Sequence, residues 1–183
     1  MESAGVRVAP LGYPSEEVRR ELARLRHPLR IAVDRFKNPF NVGAIIRTAH
    51  SFLAQEILLL GEAPYYKRAS MGMEKYEHIV HVASPARFVQ LASEKDWRII
   101  AFERDHARVG LWQAELPARD AVLVFGNEDT GVDPSILDAA EQVVAIPMFG
   151  VNHSYPVSVA AGIAMAEWTR RYYPRGRGIL GWQ

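Results

Sequence analysis

The chain has 183 residues, of which 49% are hydrophobic and 10% aromatic, a length and composition that suit one globular domain with an ordinary core. It contains no cysteine, which excludes disulfides, thiolate metal sites and catalysis through a cysteine nucleophile. The net charge is only +1, so any nucleic-acid binding would depend on local basic clusters. No apolar run is long enough to cross a bilayer and the start is polar, so we expect a soluble cytoplasmic protein without membrane association.

Helices and strands are predicted to alternate along the chain. Residues 1–29 are predicted to form a basic helical extension, in which Val18, Leu22 and Leu25 form an apolar stripe that ends at Pro28. The predicted strands are 30–36, 56–61, 79–84, 97–102, 121–126 and 142–147. The predicted helices are 41–53, 84–94, a short one from 133, and 157–172. Segments 62–78 and 103–120 have no clear period, and residues 172–183 are predicted to form a basic aromatic tail.

Several of these strands are continuously apolar, which predicts an α/β fold with a mostly parallel sheet covered by helices on both faces. The last helix is unusual because Ser158 is its only polar residue between Val157 and Ala166. A helix without a polar face packs on two sides. Its second side is expected to contact either another subunit or another part of the same chain.

Three polar, turn-forming segments leave predicted strands: KNPFNVGAIIRTAH at 37–50, GNEDTG at 126–131 and IPMFGVNHSYPVSVAAG at 146–162. Ligands of open α/β sheets bind beyond the carboxyl ends of the strands. We therefore expect these segments to meet at one edge of the sheet.

In the first segment, Gly43 and Arg47 lie four residues apart and so on one face of the predicted helix, away from its buried stripe. The glycine would leave room for a ligand beside the guanidinium, whose planar fork suits a phosphate. An ordinary exposed helix arginine is the alternative. Asn41 is equally well explained as the N-cap of the helix.

In GNEDTG, the two glycines permit unusual backbone conformations and close approach of a ligand. Glu128 could accept hydrogen bonds from a ligand or could be a solvated turn residue. The sequence has neither a dinucleotide-type GxGxxG nor a phosphate-binding GxxxxGK[ST]. The six histidines lack metal-binding spacing, so no metal site is expected. His50 and His153 could assist a site or serve as structural residues.

Taken together and in this order, the three segments resemble the motifs of the SpoU (TrmH-like) family of RNA methyltransferases in the SPOUT superfamily. The first is matched by Asn38, Asn41, Gly43 and Arg47. The second is matched by Gly126, Asn127, Glu128 and Gly131. The third is matched by Ile146, Pro147, Met148, Gly150, Ser154, Val157, Ser158, Val159 and Ala160.

The resemblance implies a C-terminal trefoil knot, a homodimer, S-adenosyl-L-methionine as cofactor and methylation of a ribose 2′-hydroxyl in tRNA or rRNA. A sulfonium methyl is already activated, so its transfer needs neither a metal nor a covalent nucleophile. By resemblance the catalytic residues are Arg47, Asn41, Glu128 and Ser154. The implied cofactor-binding residues are Gly126, Asn127, Glu128, Gly131, Ile146, Pro147, Met148, Ser154, Val157 and Val159.

The chain departs from the family at Ser154-Tyr155-Pro156, where the family usually has Ser-Leu-Asn. The missing asparagine favours two alternatives: an RNA-binding homologue with impaired transfer, or a methyltransferase that modifies an RNA base. RNA contacts are expected from basic and aromatic residues, namely Arg19, Arg20, Arg24, Tyr66, Lys67, Arg68, Arg175 and Arg177.

Overall fold

The structure is a computed structural model that describes residues 15–61 and 65–173. Its helices are α1 (Ser15–Ala23), α2 (Pro39–Ser51), α3 (Lys67–Ser70), α4 (Pro85–Glu94), α5 (Pro134–Ala139) and α6 (Val157–Tyr172), with a 3₁₀ turn at Met73–Lys75. Its strands are β1 (His27–Asp34), β2 (Ala54–Leu60), β3 (Ile79–Val82), β4 (Arg98–Phe102), β5 (Val109–Gly110), β6 (Ala121–Phe125) and β7 (Gln142–Ala145). The short strand β5 lies in segment 103–120, where the sequence predicted no regular structure.

The seven strands form one sheet in the order β3-β2-β1-β6-β4-β7-β5. Every pairing in the described sheet is parallel. Strand β6 lies between β1 and β4, and its residue Phe125 is in register with Val33 on one side and Phe102 on the other. Because the strands run the same way, the loops that leave β1, β4, β6 and β7 emerge at the same edge of the sheet.

Two clusters of buried side chains lie on opposite faces of the sheet. Successive residues of β1 alternate between them: Ile31 and Val33 belong to one cluster and Ala32 to the other, as expected for a pleated strand. Helices α2 and α6 cover the first face, and α4 and α5 cover the second. The predicted α/β architecture, with helices on both faces of a mostly parallel sheet, is confirmed.

The N-terminal prediction needs correction. Helix α1 ends at Ala23, and Pro28 lies inside β1 instead of stopping the helix. Leu22 is buried, but Leu25 lies beyond the end of the helix and is 40% exposed. The extension predicted for residues 1–29 therefore overlaps the first strand of the sheet.

Helix α2 begins earlier than predicted. Its N-cap is Asn38, whose side chain accepts a hydrogen bond from the Phe40 amide at 3.0 Å, and Pro39 occupies the first turn. Asn41 is therefore not the cap, and its side chain is available for other contacts. Gly43 is buried against α3, since a Cβ atom there would lie 2.7 Å from the Tyr66 carbonyl oxygen. This glycine makes room for a helix of the same chain and not for a ligand.

A buried ionic network joins α2 to the segments before β1 and β3. The Glu77 side chain is fully buried and accepts hydrogen bonds from Arg26 at 2.7 and 3.0 Å. The Nδ1 atom of His50 lies 2.8 Å from the same carboxylate. Buried carboxylates require such partners, so His50 serves as a structural residue of the α2 C-terminus.

Helix α6 packs on the core through Val157, Ala161, Ala164, Met165 and Trp168, which are all buried. Within residues 15–61 and 65–173, neither this helix nor any other is long and apolar enough to span a membrane.

Near the end of α6, Glu167 has a nearly buried side chain that accepts hydrogen bonds from Arg170 at 2.8 Å and Arg171 at 2.7 Å. Hydrogen bonds from Arg170 and Arg171 lower the pKa of Glu167 from 4.5 to about 2.

We predict that Glu167 contributes stability above about pH 4.5 that is lost as the pH falls towards about 2, since its pKa is lower in the folded state. Replacing Glu167 with Gln should therefore reduce the free energy of unfolding at pH 7 and flatten its fall between about pH 4.5 and 2. Urea unfolding across this pH range measures both effects. The control is Glu94→Gln, because Glu94 forms an exposed pair with Arg87 that should contribute less than about 1 kcal/mol. Equal acid slopes for wild type and Glu167→Gln would contradict the prediction.

Candidate active site

A cavity of about 690 Å³ opens at the carboxyl ends of β4, β6 and β7. Phe102 and Phe125 form its floor as the last residues of two adjacent strands, with their rings stacked at a centroid distance of 5.0 Å. Loops 126–132 and 146–156 contribute most of the wall. Two of the three segments identified in the sequence therefore line one cavity.

The loop after β6 is held in shape by its own backbone. Asn127 and Gly131 exchange two main-chain hydrogen bonds of 3.0 and 2.9 Å. The Asn127 side-chain oxygen accepts hydrogen bonds from the amides of Asp129 and Thr130, and its amide nitrogen donates to the Arg35 carbonyl oxygen. Asn127 was predicted to bind the cofactor; its side chain shapes the loop, and the residue also lines the cavity.

Both glycines of this loop are required by contacts within the protein. A Cβ atom on Gly126 would lie 2.2 Å from the Gly131 carbonyl carbon, which no relaxation of a side chain can relieve. Gly131 has a φ of +69°, a conformation that favours glycine. The sequence predicted that these glycines permit unusual backbone conformations, and in the structure they let the loop fold back over the end of β6 while lining the cavity.

Asn41 joins the three segments. Its side-chain nitrogen donates a hydrogen bond to Glu128 at 2.5 Å. Its side-chain oxygen accepts one from the Ser158 hydroxyl at 3.1 Å. The first, second and third segments thus meet at one amide, as the sequence predicted. Ser158 was recognised as part of the third motif but was not predicted as a site residue.

The third segment forms a closed loop beside the cavity. The Tyr155 hydroxyl donates to the Pro147 carbonyl oxygen at 3.1 Å, which ties the two ends of the loop together. The Pro156 carbonyl oxygen accepts hydrogen bonds from the amides of Val159 and Ala160 at 2.9 and 3.0 Å. Pro156 therefore begins α6 through its main chain, while Ser154 and His153 line the cavity with exposed side chains.

The structure adds a fourth contributor that the sequence prediction missed. Residues 103–106 follow β4 and line the cavity. Arg104 donates to the carbonyl oxygen of His153 and also pairs with Asp105 at 2.6 Å, a hydrogen bond that lowers the pKa of Asp105. These residues lie in the charged segment without periodicity, and only their position after a parallel strand could have indicated them.

Other predicted residues lie elsewhere. Among the described residues that line the cavity, Arg47, Pro147 and Val159 are not found. Arg47 is exposed on α2, where it forms no ion pair with any described residue, and Val159 is 44% exposed on α6. The remaining predicted cofactor-binding residues do line it: Gly126, Asn127, Glu128, Gly131, Ile146, Met148, Ser154 and Val157.

The predicted RNA-binding residues lie on α1 and α3. Arg19, Arg20 and Arg24 are exposed on or just after α1, and Lys67 and Arg68 are exposed on α3. Tyr66 is half-buried and its ring lies 4.4 Å from that of Phe40. Arg175 and Arg177 lie outside the described residues. Within the described ranges, no group of three or more histidine or acidic residues is placed to hold a metal ion.

Residues 28–166 match the model of the SpoU rRNA Methylase family. The chain belongs to this family. The family predicted from the three motifs is thereby confirmed, and with it the methyltransferase class.

Similar proteins of known name act on tRNA and rRNA. The chain is 29% identical to the tRNA (guanosine(18)-2'-O)-methyltransferase of Aquifex aeolicus, over 88% of this chain and 78% of that protein. It is 30% identical to the 23S rRNA (guanosine-2'-O-)-methyltransferase RlmB of Neisseria meningitidis, over 79% of this chain and 58% of that protein. It spans between 58% and 67% of the length of the RlmB proteins it matches.

Solved structures of the same kind share the fold. The A. aeolicus TrmH/SpoU tRNA modifying enzyme superposes with a TM-score of 0.77 at 27% identity, covering 88% of this chain and 84% of that one. The AdoMet-bound rRNA methyltransferase from Sinorhizobium meliloti gives a TM-score of 0.72 at 28% identity, covering 82% of this chain and 60% of that one.

We predict that Gly126→Ala disrupts the cavity, because its methyl group would overlap the backbone of Gly131 and Val132. Binding of S-adenosylmethionine, measured by isothermal titration calorimetry, should weaken by at least about 100-fold. Gly110→Ala is the control, since the nearest atom to its Cβ is the movable end of the Gln113 side chain. Wild-type affinity in Gly126→Ala would show that the loop does not need its observed shape.

Proposed function

We propose that this protein transfers a methyl group from S-adenosyl-L-methionine to a ribose 2′-hydroxyl of tRNA or rRNA. The observation that carries the proposal is the convergence of all three family segments on Asn41, which contacts Glu128 and Ser158. Membership of the SpoU rRNA Methylase family supports it, as do the names of relatives that act on tRNA and 23S rRNA.

The cavity fits this cofactor in size and chemistry. A volume of about 690 Å³ lies within the roughly 300–1,000 Å³ usual for small-molecule sites. Phe102, Phe125 and Ile146 offer apolar surface for an adenine ring, and Glu128 places a carboxylate beside it. Carboxylates suit a ligand that carries a sulfonium, an ammonium group and ribose hydroxyls. We assign cofactor binding to the cavity-lining residues of the second and third segments.

When bound, the cofactor supplies an activated methyl group, so the protein has only to align the acceptor and stabilise the charge that develops on its oxygen. Asn41 fixes the carboxylate of Glu128 at 2.5 Å, where it can accept a hydrogen bond from a bound hydroxyl or amine. Ser154 lies at the cavity wall with an exposed hydroxyl. Arg47 contributes a charge-stabilising fork, because a guanidinium stays protonated and donates hydrogen bonds from a planar group.

We further propose a homodimer in which Arg47 serves the cavity of the partner. Arg47 does not line the cavity of its own chain. Helix α6 leaves Val159 and Ala166 exposed on the side away from its buried residues, and neighbouring α2 leaves Phe40 57% exposed. A second copy would cover this apolar α2/α6 face and bring Arg47 to the interface.

RNA would be held by the exposed arginines of α1, by Tyr66, Lys67 and Arg68, and by Arg175 and Arg177 of the C-terminal segment. Arginine and lysine side chains neutralise phosphates, and aromatic rings stack on unpaired bases. We also propose that the C-terminal part of the chain forms the trefoil knot implied by family membership. The fold shared with the A. aeolicus enzyme supports it, and tracing the backbone in an experimental structure tests it.

Pro156 supports a second candidate function. It offers only its carbonyl oxygen, and that oxygen already accepts the amides of Val159 and Ala160. A side-chain amide at this position is therefore missing from the site, which favours RNA binding without transfer, or transfer to an RNA base.

Incubation with methyl-labelled cofactor and total RNA, followed by digestion to nucleosides, separates these functions. We predict a labelled 2′-O-methyl nucleoside with the wild type. Arg47→Ala should reduce transfer by at least about 100-fold, since removal of one charge-stabilising donor commonly costs that much, while cofactor affinity changes less than severalfold. Arg47→Lys should recover little, because lysine lacks the planar fork.

Arg87→Ala is the matched control, since Arg87 is an exposed helix arginine on α4 that pairs with Glu94. A labelled base would support base methylation. Tight RNA binding without any label would support the binding homologue. Normal transfer by Arg47→Ala would remove Arg47 from the mechanism.

We predict that mixing two inactive variants restores activity if Arg47 acts across the interface. Arg47→Ala keeps an intact cavity, and Gly126→Ala keeps Arg47. Random exchange of subunits makes half of the dimers mixed, each with one complete site, so activity should recover to about a quarter of wild type.

Ala166→Arg places a charge on the α2/α6 face and should yield monomers in light scattering. Ala86→Arg, on α4 at the opposite face of the sheet, is the control.

In the mixing experiment, a failure of the mixed dimers to recover activity would place Arg47 and the cavity it serves in the same chain.

A further inference from the structure

We propose that Asp34 and Glu103 form a carboxylate clamp, a pair of positioning residues that hold the loop after β6 in its cofactor-binding shape and so set the affinity for the cofactor. The inference rests on the proposed function, because it takes the cavity to be the S-adenosylmethionine site. Neither carboxylate was identified as a site residue from the sequence.

The sheet places the two acids on either side of the loop. Asp34 is the last residue of β1, and Glu103 directly follows β4. Val33 and Phe102, the residues before them, are both in register with Phe125 of β6. The two acids therefore stand level with Gly126, one on each flank of the point where β6 ends.

The clamp acts on two consecutive amides. The Val132 amide donates to Glu103 Oε2 at 3.0 Å, and the Asp133 amide donates to Asp34 Oδ2 at 2.8 Å. Both bonds are charge-assisted and therefore stronger than those between neutral groups. Because Val132 and Asp133 follow the loop directly, the clamp fixes the returning end of the loop while β6 fixes its start.

The close packing around Gly126 and Gly131 depends on these two hydrogen bonds. A Cβ atom on Gly131 would lie 2.2 Å from Glu103 Oε2, and one on Gly126 would lie 2.3 Å from the Val132 nitrogen. The chain is thus drawn against the end of β6 between the two acids. Residues 127–131 span this fixed gap, which sets the position from which Glu128 reaches Asn41.

The two acids differ in what balances their charge. Asp34 is completely buried and pairs with Arg35, whose Nε and Nη2 atoms lie 3.0 and 3.2 Å from its oxygens. Glu103 lines the cavity and forms no salt bridge with the residues that the structure describes. Glu103 can therefore be changed without exposing a buried counter-ion, which makes it the better residue to test.

The test compares Glu103→Gln with Glu103→Ala. The Gln side chain keeps an oxygen that can accept the Val132 amide, whereas Ala leaves this amide without a partner. Calorimetry with S-adenosylmethionine should show affinity at least about 10-fold weaker for Glu103→Ala, the cost of one unsatisfied amide. Glu103→Gln should restore it to within about threefold. In turnover, the loss should fall on the KM for the cofactor and not on kcat.

A second readout does not need the cofactor. Hydrogen exchange of residues 127–133 in the free protein should be faster in Glu103→Ala than in wild type and nearly normal in Glu103→Gln. Glu94→Ala on α4 is the control for removal of a carboxylate. If Glu103→Ala fails to fold, Glu103→Met keeps the volume without an acceptor and replaces it.

The clamp would be overturned if Glu103→Ala, or Glu103→Met in its place, showed the hydrogen exchange and the S-adenosylmethionine affinity of the wild type. An equal loss of cofactor affinity in Glu103→Gln and Glu103→Ala would also overturn it. The negative charge of Glu103, and not its hydrogen bond to the Val132 amide, would then determine the affinity. If the wild type binds no S-adenosylmethionine while the variants show the predicted exchange pattern, the proposed function and the effect of the clamp on affinity are contradicted, but its role in holding the loop stands.

Discussion

The amide of Asn41 is the contact on which the site depends. A primary amide both donates and accepts hydrogen bonds, so one side chain can bind the carboxylate of Glu128 and the hydroxyl of Ser158 at once. These partners are 87 and 117 residues away along the chain. In a parallel sheet all strands end at one edge, so segments that lie far apart in the sequence can meet there. The direction of the strands therefore determines where the site forms, and no single motif does so alone.

Around the Asn41 amide, side chains of the protein form hydrogen bonds with the backbone of the loops, and these bonds do not involve a ligand. Asn127 closes the loop after β6, Tyr155 closes the loop before α6, and strand-end carboxylates receive the amides that follow Gly131. Groups held in this way need little reorganisation when charge develops in a reaction. The glycines of the second segment are required by the backbone packing of the loop itself, whether or not a ligand is bound.

Each sequence pattern predicts some properties of the structure and not others. Apolar runs such as AVLVF report burial, and they located the strands and the parallel sheet. The polar segments after them located the cavity, because strand ends are where ligands bind. Patterns of this kind do not report contacts between distant residues. Whether Asn38 or Asn41 caps α2, what Gly43 packs against, and where Glu103 points are all tertiary questions, and segment 103–120 has no period from which to begin.

The position of Arg47 on α2 is relevant to the proposed dimer. Asn41 and Arg47 lie on the same helix, yet the first contacts the cavity wall and the second is exposed and does not line the cavity. Residues six positions apart on an α-helix point about 120° apart around its axis, so the two side chains leave α2 on different faces. In the proposed dimer, both residues serve the reaction because the guanidinium acts on the cavity of the second copy. The exposed apolar residues of α2 and α6 lie on the helices that would carry it there. The proposed dimer is therefore the arrangement in which the family's first motif can serve two sites at once.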